Sequence, residues 1–438
     1  MAMVVKTNMS AVRTLNTLNQ NSTALQKSLT KVASGMKING AQDDASGYAI
    51  SERMRVRIRS LDQANQNSQN DSALMKTAEG AVSNTIEILK ALKEKAINAA
   101  NDSNTEEDRQ TIQKEVDQFI DQIDDNALVQ FNGKYLVDGS KNNVVSASKT
   151  ILLNQSLATN TTADSYLTAL NNRAGDALEI QSTDKYQVSW VMNGVTMTTS
   201  GTVGTETNLT ALMKVGGEDK ATLTAQSDAS PTTIGTDKYN VDVYTPDKAP
   251  GVALLSLTTG VTSQISGFTI SITDAQGNVK KAANAALDAF KQYQRAENET
   301  GDKSLTFHVG SEANVAIKVG IGDMRAEALG LKGSNGSDRV RVTTKENANA
   351  AINAIENALA KALDQQTTIG AIEARLEYTS ANLTTSSENV QASESTIRDA
   401  DMAKEMTNYT KNNVLLQSAQ AMLAQANQNS SAVLSLLQ

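Results

Sequence analysis

Asp43 and Asp44 stand side by side just after a glycine-bracketed break, Gly35 to Gly40. Two adjacent carboxylates could share a proton as an acid–base pair or help hold a cation. Either chemistry needs more than the chain supplies nearby. No third ligand or histidine lies close in sequence, His308 is the single histidine, and there is no cysteine. Ser-His-Asp triads, multi-histidine metal sites, thiolate nucleophiles and disulfides are thereby set aside. The plain alternative is that the two aspartates cap the helix that follows. His308 alternates with Phe307 and Val309 and reads as a hairpin residue. Lys93, Glu94 and Lys95 read first as a solvated helix face. We expect no catalytic residue, metal site or cofactor.

The elements around these residues divide the chain. Residues 1–138 and 304–438 are apolar at helical spacing, and they lack proline and cysteine. The middle holds Trp190, all three prolines (Pro231, Pro246, Pro250) and Val/Thr/Tyr-rich runs. A helical chain interrupted in this way must bring its two ends together to bury their stripes. The expected fold is mainly α with a β-rich insert. Paired N- and C-terminal segments form a long antiparallel bundle with terminal coiled-coil helices, and an α+β insert projects into solvent.

Residues 4–36 read as a helix with Leu18, Leu25, Leu29, Val32 and Met36 on a 4/3 spacing and Ser22 as a polar gap. A second helix runs from Ala45 to about Asn101. Thr105 to Asp108 is a capping sequence for a third, to about Ala127. Phe131–Tyr135 is a turn, and Asn193-Gly194 between Gln187–Met192 and Val195–Thr199 signals a hairpin. Tyr239–Thr245, Val252–Thr258 and Phe268–Thr273 alternate like strands, and Val279–Arg295 reads as a helix. Ser304–Val309 and Asn314–Ile321 suggest another hairpin, and Thr344–Thr385 is helical again. From Leu416 the stripe Leu416, Ala419, Leu423, Ala426, Ser430, Val433, Leu437 keeps a 3/4 alternation. Such a stripe can close the chain's own bundle, or it can wait for a second subunit.

The chain has 438 residues, enough for two to four domains, and only 3% aromatics, which argues against one large conventional core. Its net charge of −8 argues against nucleic acid or a basic membrane-surface role. No 18-residue apolar run and no secretory apolar core stand in the sequence.

Several motifs resemble those of bacterial flagellins. Residues 32–51, with Ile38-Asn39 and Asp43-Asp44-Ala45-Ser46-Gly47-Tyr48-Ala49-Ile50-Ser51, resemble the family's L-S-S-G-x-R-I-N-S-A-x-D-D-A-A-G-x-A-I-S. Thr77–Ala81 resembles T-A-E-G-A, and Phe131-Asn132-Gly133 resembles F-N-G. Near the other end Ile397–Glu405 resembles I-R-D-x-D-M-A-x-E, and Ala421–Gln428 reads A-M-L-A-Q-A-N-Q. The resemblance covers residues 1–139 and about 303–438 and leaves the middle unmatched.

The resemblance implies a structural, non-enzymatic subunit that self-assembles into the flagellar filament for motility. Residues 1–45 with 396–438 would form the inner coiled-coil tube. Residues 46–139 with 303–395 would form the outer tube, and 140–302 a variable surface insert. The assembly contacts would fall on Leu18, Leu25, Leu29, Val32, Met36, Leu416, Leu423, Val433 and Leu437. Implied partners are further copies of the chain, flagellar junction and cap proteins, an export chaperone and host Toll-like receptor 5, with no nucleic acid and no membrane. The implied location is the extracellular flagellum, reached without a cleaved signal peptide. The alternative is a hook–filament junction protein, which has similar ends; the complete D-D-A and A-M-L-A-Q-A-N-Q matches favour the filament subunit.

In flagellins that activate Toll-like receptor 5 the helix after T-A-E-G-A reads Q-R-V-R-E-L-A-V-Q-x-A-N. Here Ala91 and Lys93 stand where arginines stand, Glu94 is kept, Lys95 replaces a leucine, and the downstream acid is Glu115. Arginine to lysine loses a fork of donors, and a lysine at an apolar contact costs desolvation. The resemblance therefore implies weak receptor agonism through Ala91, Lys93, Glu94, Lys95 and Glu115.

Overall fold

The computed structural model describes residues 8–215, 218–219, 221–226, 233–246 and 249–436. Six helices span α1 Met9–Ser34, α2 Ala45–Ala99, α3 Glu106–Ala127, α4 Lys281–Leu287, α5 Lys345–Arg398 and α6 Met402–Leu436 among the described residues. Local chemistry sets most of their ends. The Asn8 side chain accepts from the Ala11 amide to open α1, and Gly35 closes it at φ +72°. Thr105 and Asp108 form a reciprocal capping box on α3. Asp401 Oδ1 accepts from the amides of Ala403 and Lys404 at the start of α6.

The chain divides into two compact units. The first contains residues up to Ser68, His308–Val315 and the chain from Tyr378. Here α1 and α6 run antiparallel along one seam. Asn8 Nδ2 donates to the Ala426 carbonyl (3.1 Å), Asn21 Nδ2 to that of Leu415 (3.3 Å) and Asn412 Nδ2 to Ser28 Oγ (3.1 Å). The same unit packs Leu61 and Ala64 of α2 against Leu383 of α5. Ser380 and Ser387 bond Asn65 and Asp62 beside them. The α5 pattern continues past the expected stop near Thr385, through to Arg398. Thr385, Ser393 and Thr396 turn their hydroxyls onto backbone carbonyls four residues earlier, so they do not break the helix.

The second unit contains Gln69–Phe307 and Ala316–Glu377. Met75, Ala78, Val82, Leu89, Leu92 and Ala96 of α2 are buried at 3/4 spacing, as are Ala348, Ala351, Ile355, Ala358 and Ala362 of α5. Alanines on α5 keep that face narrow. Val116, Ile120 and Ile123 supply the buried face of α3.

The strands are β1 Gln130–Phe131, β2 Lys134–Tyr135, β3 Ile151–Asn154, β4 Lys185–Met192, β5 Val195–Thr202, β6 Lys214–Val215, β7 Glu218–Asp219, β8 Ala221–Gln226, β9 Gly235–Thr236, β10 Asp242–Val243, β11 Gly251–Ser256, β12 Ile265–Thr273, β13 Lys291–Gln294, β14 Leu305–His308 and β15 Ala316–Val319. Two antiparallel sheets, ordered β13-β3-β11-β8 and β12-β4-β5, carry an extended apolar cluster. Trp190, Phe268 and Phe290 meet inside it, the latter two edge to face at 5.0 Å. Asn193 (φ +51°) and Gly194 (φ +73°) close the expected β4–β5 hairpin. The β14–β15 pair forms as expected.

Two expectations fail in this region. Val279–Arg295 is not one helix: α4 stops at Leu287, and Lys291–Gln294 joins the four-stranded sheet as its edge. Asp288 Oδ1 is drawn onto the Ile270 amide and Phe290 into the aromatic cluster, so tertiary partners override the local helical pattern. Tyr239–Thr245 is extended only at Asp242–Val243. Asp237 Oδ1 accepts from the amides of Tyr239 and Val241, folding the start of that run into a turn with Asn240 at φ +61°.

Candidate functional site

The aspartate pair is committed to backbone. Asp44 Oδ1 accepts from the amides of Ser46 and Gly47, each at 3.0 Å, and caps α2. Asp43 Oδ2 accepts from the Asn39 amide at 3.0 Å. A Cβ at Gly47 would stand 2.5 Å from Asp44 Oδ2 and 2.8 Å from Ile38 Cδ1, so a larger residue there would push the Asp44 cap or Ile38 aside. Among the described residues no cluster of three acids or histidines could hold a metal ion. His308 ends β14, exposed, with its carbonyl accepting from Asn67 Nδ2.

The break between α1 and α2 is tied to the break between α5 and α6. Gly35 and Lys37 bond through their backbones to Ala400 and Arg398 (2.9 and 2.7 Å). Arg398 is buried. Its Nη1 donates to Glu52 Oε1 at 2.6 Å, its Nε lies 3.0 Å from Met36 Sδ, and its guanidinium sits 5.5 Å from the Tyr48 ring centre. The Arg398 hydrogen bond holds the Glu52 carboxyl below its ordinary value. In the sequence Arg398 and Tyr48 stand only as letters of the two motifs. Glu52, immediately after the first motif, carried no separate signal.

On α1 the half-buried positions include Ala11, Leu18, Leu25 and Val32, with Ser28 fully buried. Met36 is half-buried just beyond the helix. Leu29 is 51% exposed and lies off this face. On α6 Leu416 and Leu423 are half-buried, and Ala419 and Ala426 are buried. Val433 falls within α6, and Leu437 lies outside the described residues. The seam thus joins the two helices of one chain. Outside it remain exposed apolar side chains: Met9, Val12, Leu15 and Leu29 on α1, and Met402, Met406, Val414, Leu415 and Met422 on α6. Met422 is 62% exposed.

On α2, Leu89, Leu92 and Ala96 turn inward while Glu94 points to solvent and Ala91 is half-buried. Lys93 Nζ lies 3.1 Å from Glu356 Oε2 of α5, and Lys95 Nζ 2.5 Å from Glu115 Oε2 of α3. The Glu115 hydrogen bond raises the Lys95 pKa. Four of the five face residues are therefore charged, and three of them are held by ion pairs.

Two family models match the chain: the bacterial flagellin N-terminal helical region over residues 5–142 and the C-terminal helical region over residues 352–437. A flagellin of Clostridium tyrobutyricum is 35% identical over 430 residues, spanning 97% of this chain and 99% of the relative. A flagellin of Bacillus subtilis (strain 168) is 29% identical over 454 residues, spanning 99% and 100%. The solved flagellar junction protein FlgL from Legionella pneumophila aligns at a TM-score of 0.33 and 16% identity, covering 80% of this chain and 99% of that one.

Proposed function

The chain belongs to the bacterial flagellin family, structural proteins of the flagellar filament, and from that premise we propose that it polymerises through α1 and α6 into the filament that drives motility. The role is structural and not enzymatic. Residues 1–45 with 396–438 build the inner tube, 46–139 with 303–395 the outer tube, and 140–302 the surface insert. The filament lies outside the cell, and a chaperone assists the chain's export. It meets junction and cap proteins at the filament's ends. Identity of 35% to a flagellin over 97% of the chain favours this reading over a junction collar.

The observation that carries the reading is the double use of the terminal helices. Their seam is already closed within one chain, yet Val12, Leu15, Val414, Leu415 and Met422 stay exposed beside it. Apolar side chains left outside a closed seam suit contact with further copies. Leu18, Leu25, Val32, Leu416 and Leu423 then act on assembly by holding the pair in shape, while Leu29 adds to the outer contact.

Truncation and substitution test this together. Deleting residues 1–35 or 416–438 leaves a soluble, largely helical protein that seeds no filaments. Val414→Asp with Met422→Asp keeps the monomer's helix content and raises the critical concentration by about tenfold or more. Long filaments from either truncation, or unchanged assembly in the double variant, would sink the proposal.

A further inference from the structure

The second unit holds a cavity of about 470 Å³ that lies outside the proposed assembly helices α1 and α6. The turn between β9 and β10 supplies Asp237 and Lys238, edge strand β13 and the residues after it supply Gln292 to Glu297, and α5 supplies Asp364. The volume falls within the range of about 300–1,000 Å³ common to small-ligand sites.

Three features make this a built wall. Strand pairing slips between Gln292 and Gln294, so Tyr293 is a bulge residue. Bulges re-aim a side chain, and Tyr293 stands 45% exposed. Gln294 Nε2 donates to the carbonyls of Lys149 (3.2 Å) and Thr236 (2.6 Å), fastening the turn to the edge strand. Asp237 stiffens that turn from within, as described above. Inside, Arg295 Nε donates to Gln292 Oε1 at 3.1 Å, while its terminal nitrogens donate to no described residue. Gln292 Nε2 is buried without a partner. The unpaired Gln292 donor is costly where it is sealed in, whereas half-buried Arg295 keeps its terminal nitrogens open to the cavity.

The charges select the occupant. An anion would meet Asp237, Glu297 and Asp364, and a cation would meet Lys238 and Arg295. A neutral polyol brings no charge to desolvate, and its hydroxyls both donate and accept. They can accept from Arg295 and donate to Asp364. The Tyr293 ring adds a flat apolar face for the C–H side of a sugar ring. We propose that this cavity binds a neutral saccharide, with Arg295 and Asp364 pairing its hydroxyls and Tyr293 against its ring.

Ligand-observed NMR on the full-length monomer tests this without reference to assembly. The probes are the methyl glycosides of glucose, galactose, mannose and N-acetylglucosamine, with glucuronate and glucosamine as charged counterparts. At least one neutral glycoside should bind with a Kd below about 10 mM. Tyr293→Ala and Arg295→Gln should each weaken it by about tenfold or more. Tyr293 is on a half-exposed edge, so its variant keeps the fold; if Arg295→Gln unfolds, Asp364→Asn replaces it. Absence of neutral-sugar binding, tighter binding of either charged sugar, or an unchanged Kd in Tyr293→Ala overturns the proposal.

Discussion

Lys95 Nζ lies 2.5 Å from Glu115 Oε2 and ties α2 to α3 across what the family resemblance marks as the receptor face. By the resemblance, the lysine stands where strong activators carry a leucine, and here it pairs with the downstream acid Glu115. Ala91 adds nothing where they present an arginine.

The first prediction is weak Toll-like receptor 5 signalling. Interface energy concentrates in few residues, so losing an arginine and a leucine costs about 2–4 kcal/mol, or about 30- to 1,000-fold in affinity. A reporter-cell titration should place Ala91→Arg with Lys95→Leu well below wild type in half-maximal dose. Wild-type signalling equal to that of a full activator, or no gain in the double variant, would refute this account of the face.

Asp71 shares the 3/4 spacing of Met75 and Ala78, and its Oδ2 is buried with no partner among the described residues. Burial pushes its pKa up to about 6. The folded chain therefore holds this proton more tightly than the unfolded chain, whose aspartate titrates near 3.8. Stability from this group is greatest below about pH 4 and declines as pH rises to about 6. Asp71→Asn should remove that decline and gain about 1 kcal/mol at pH 7, a figure reduced because the carboxyl is partly exposed. Urea melts at pH 4, 5, 6 and 7 measure it, and parallel curves for variant and wild type would contradict the assignment.

Arg398→Lys should not be silent. Lysine cannot reach Glu52, Met36 and the Tyr48 face at once. A loss of about 2–4 °C in the thermal midpoint is expected. Glu52, its pKa lowered chiefly by the Arg398 hydrogen bond, stabilises the fold above the ordinary carboxylate pKa and ceases to as acid protonates it. The wild-type advantage should therefore shrink in acid. An advantage that persists unchanged below pH 3 would rule out the ion pair as its source.

Removing Ser140–Asp302 should leave filaments intact. The ends of that segment already meet, with Val145 N donating to Thr300 O and Lys303 N to Asn142 O, so a short linker can join them. The monomer should lose about 1–3 kcal/mol, because Asn353 and Asn357 of α5 give up their bonds to the Phe268 and Ser266 carbonyls. Electron microscopy and urea melts read the two effects. Loss of filaments would make the insert part of the assembling core.

What the sequence by itself determined is the local chemistry. The individual helices, the capping of α2 and α3, the Asn193-Gly194 hairpin and the α6 stripe all follow from residues within a few positions of one another. Spacing and cap type specify such features without a distant partner. Only the tertiary structure decided which side of α1 closes the seam. Leu29 and Ser28 are neighbours, and burial of Ser28 against Asn412 leaves the leucine outside. Tertiary structure also turned Lys291–Gln294 from the end of a helix into an edge strand, brought Arg398 to Glu52 and assembled the Arg295 cavity from three distant segments. Those outcomes rest on contacts between residues far apart in the chain, where competing local preferences differ by less than the packing energy that settles them.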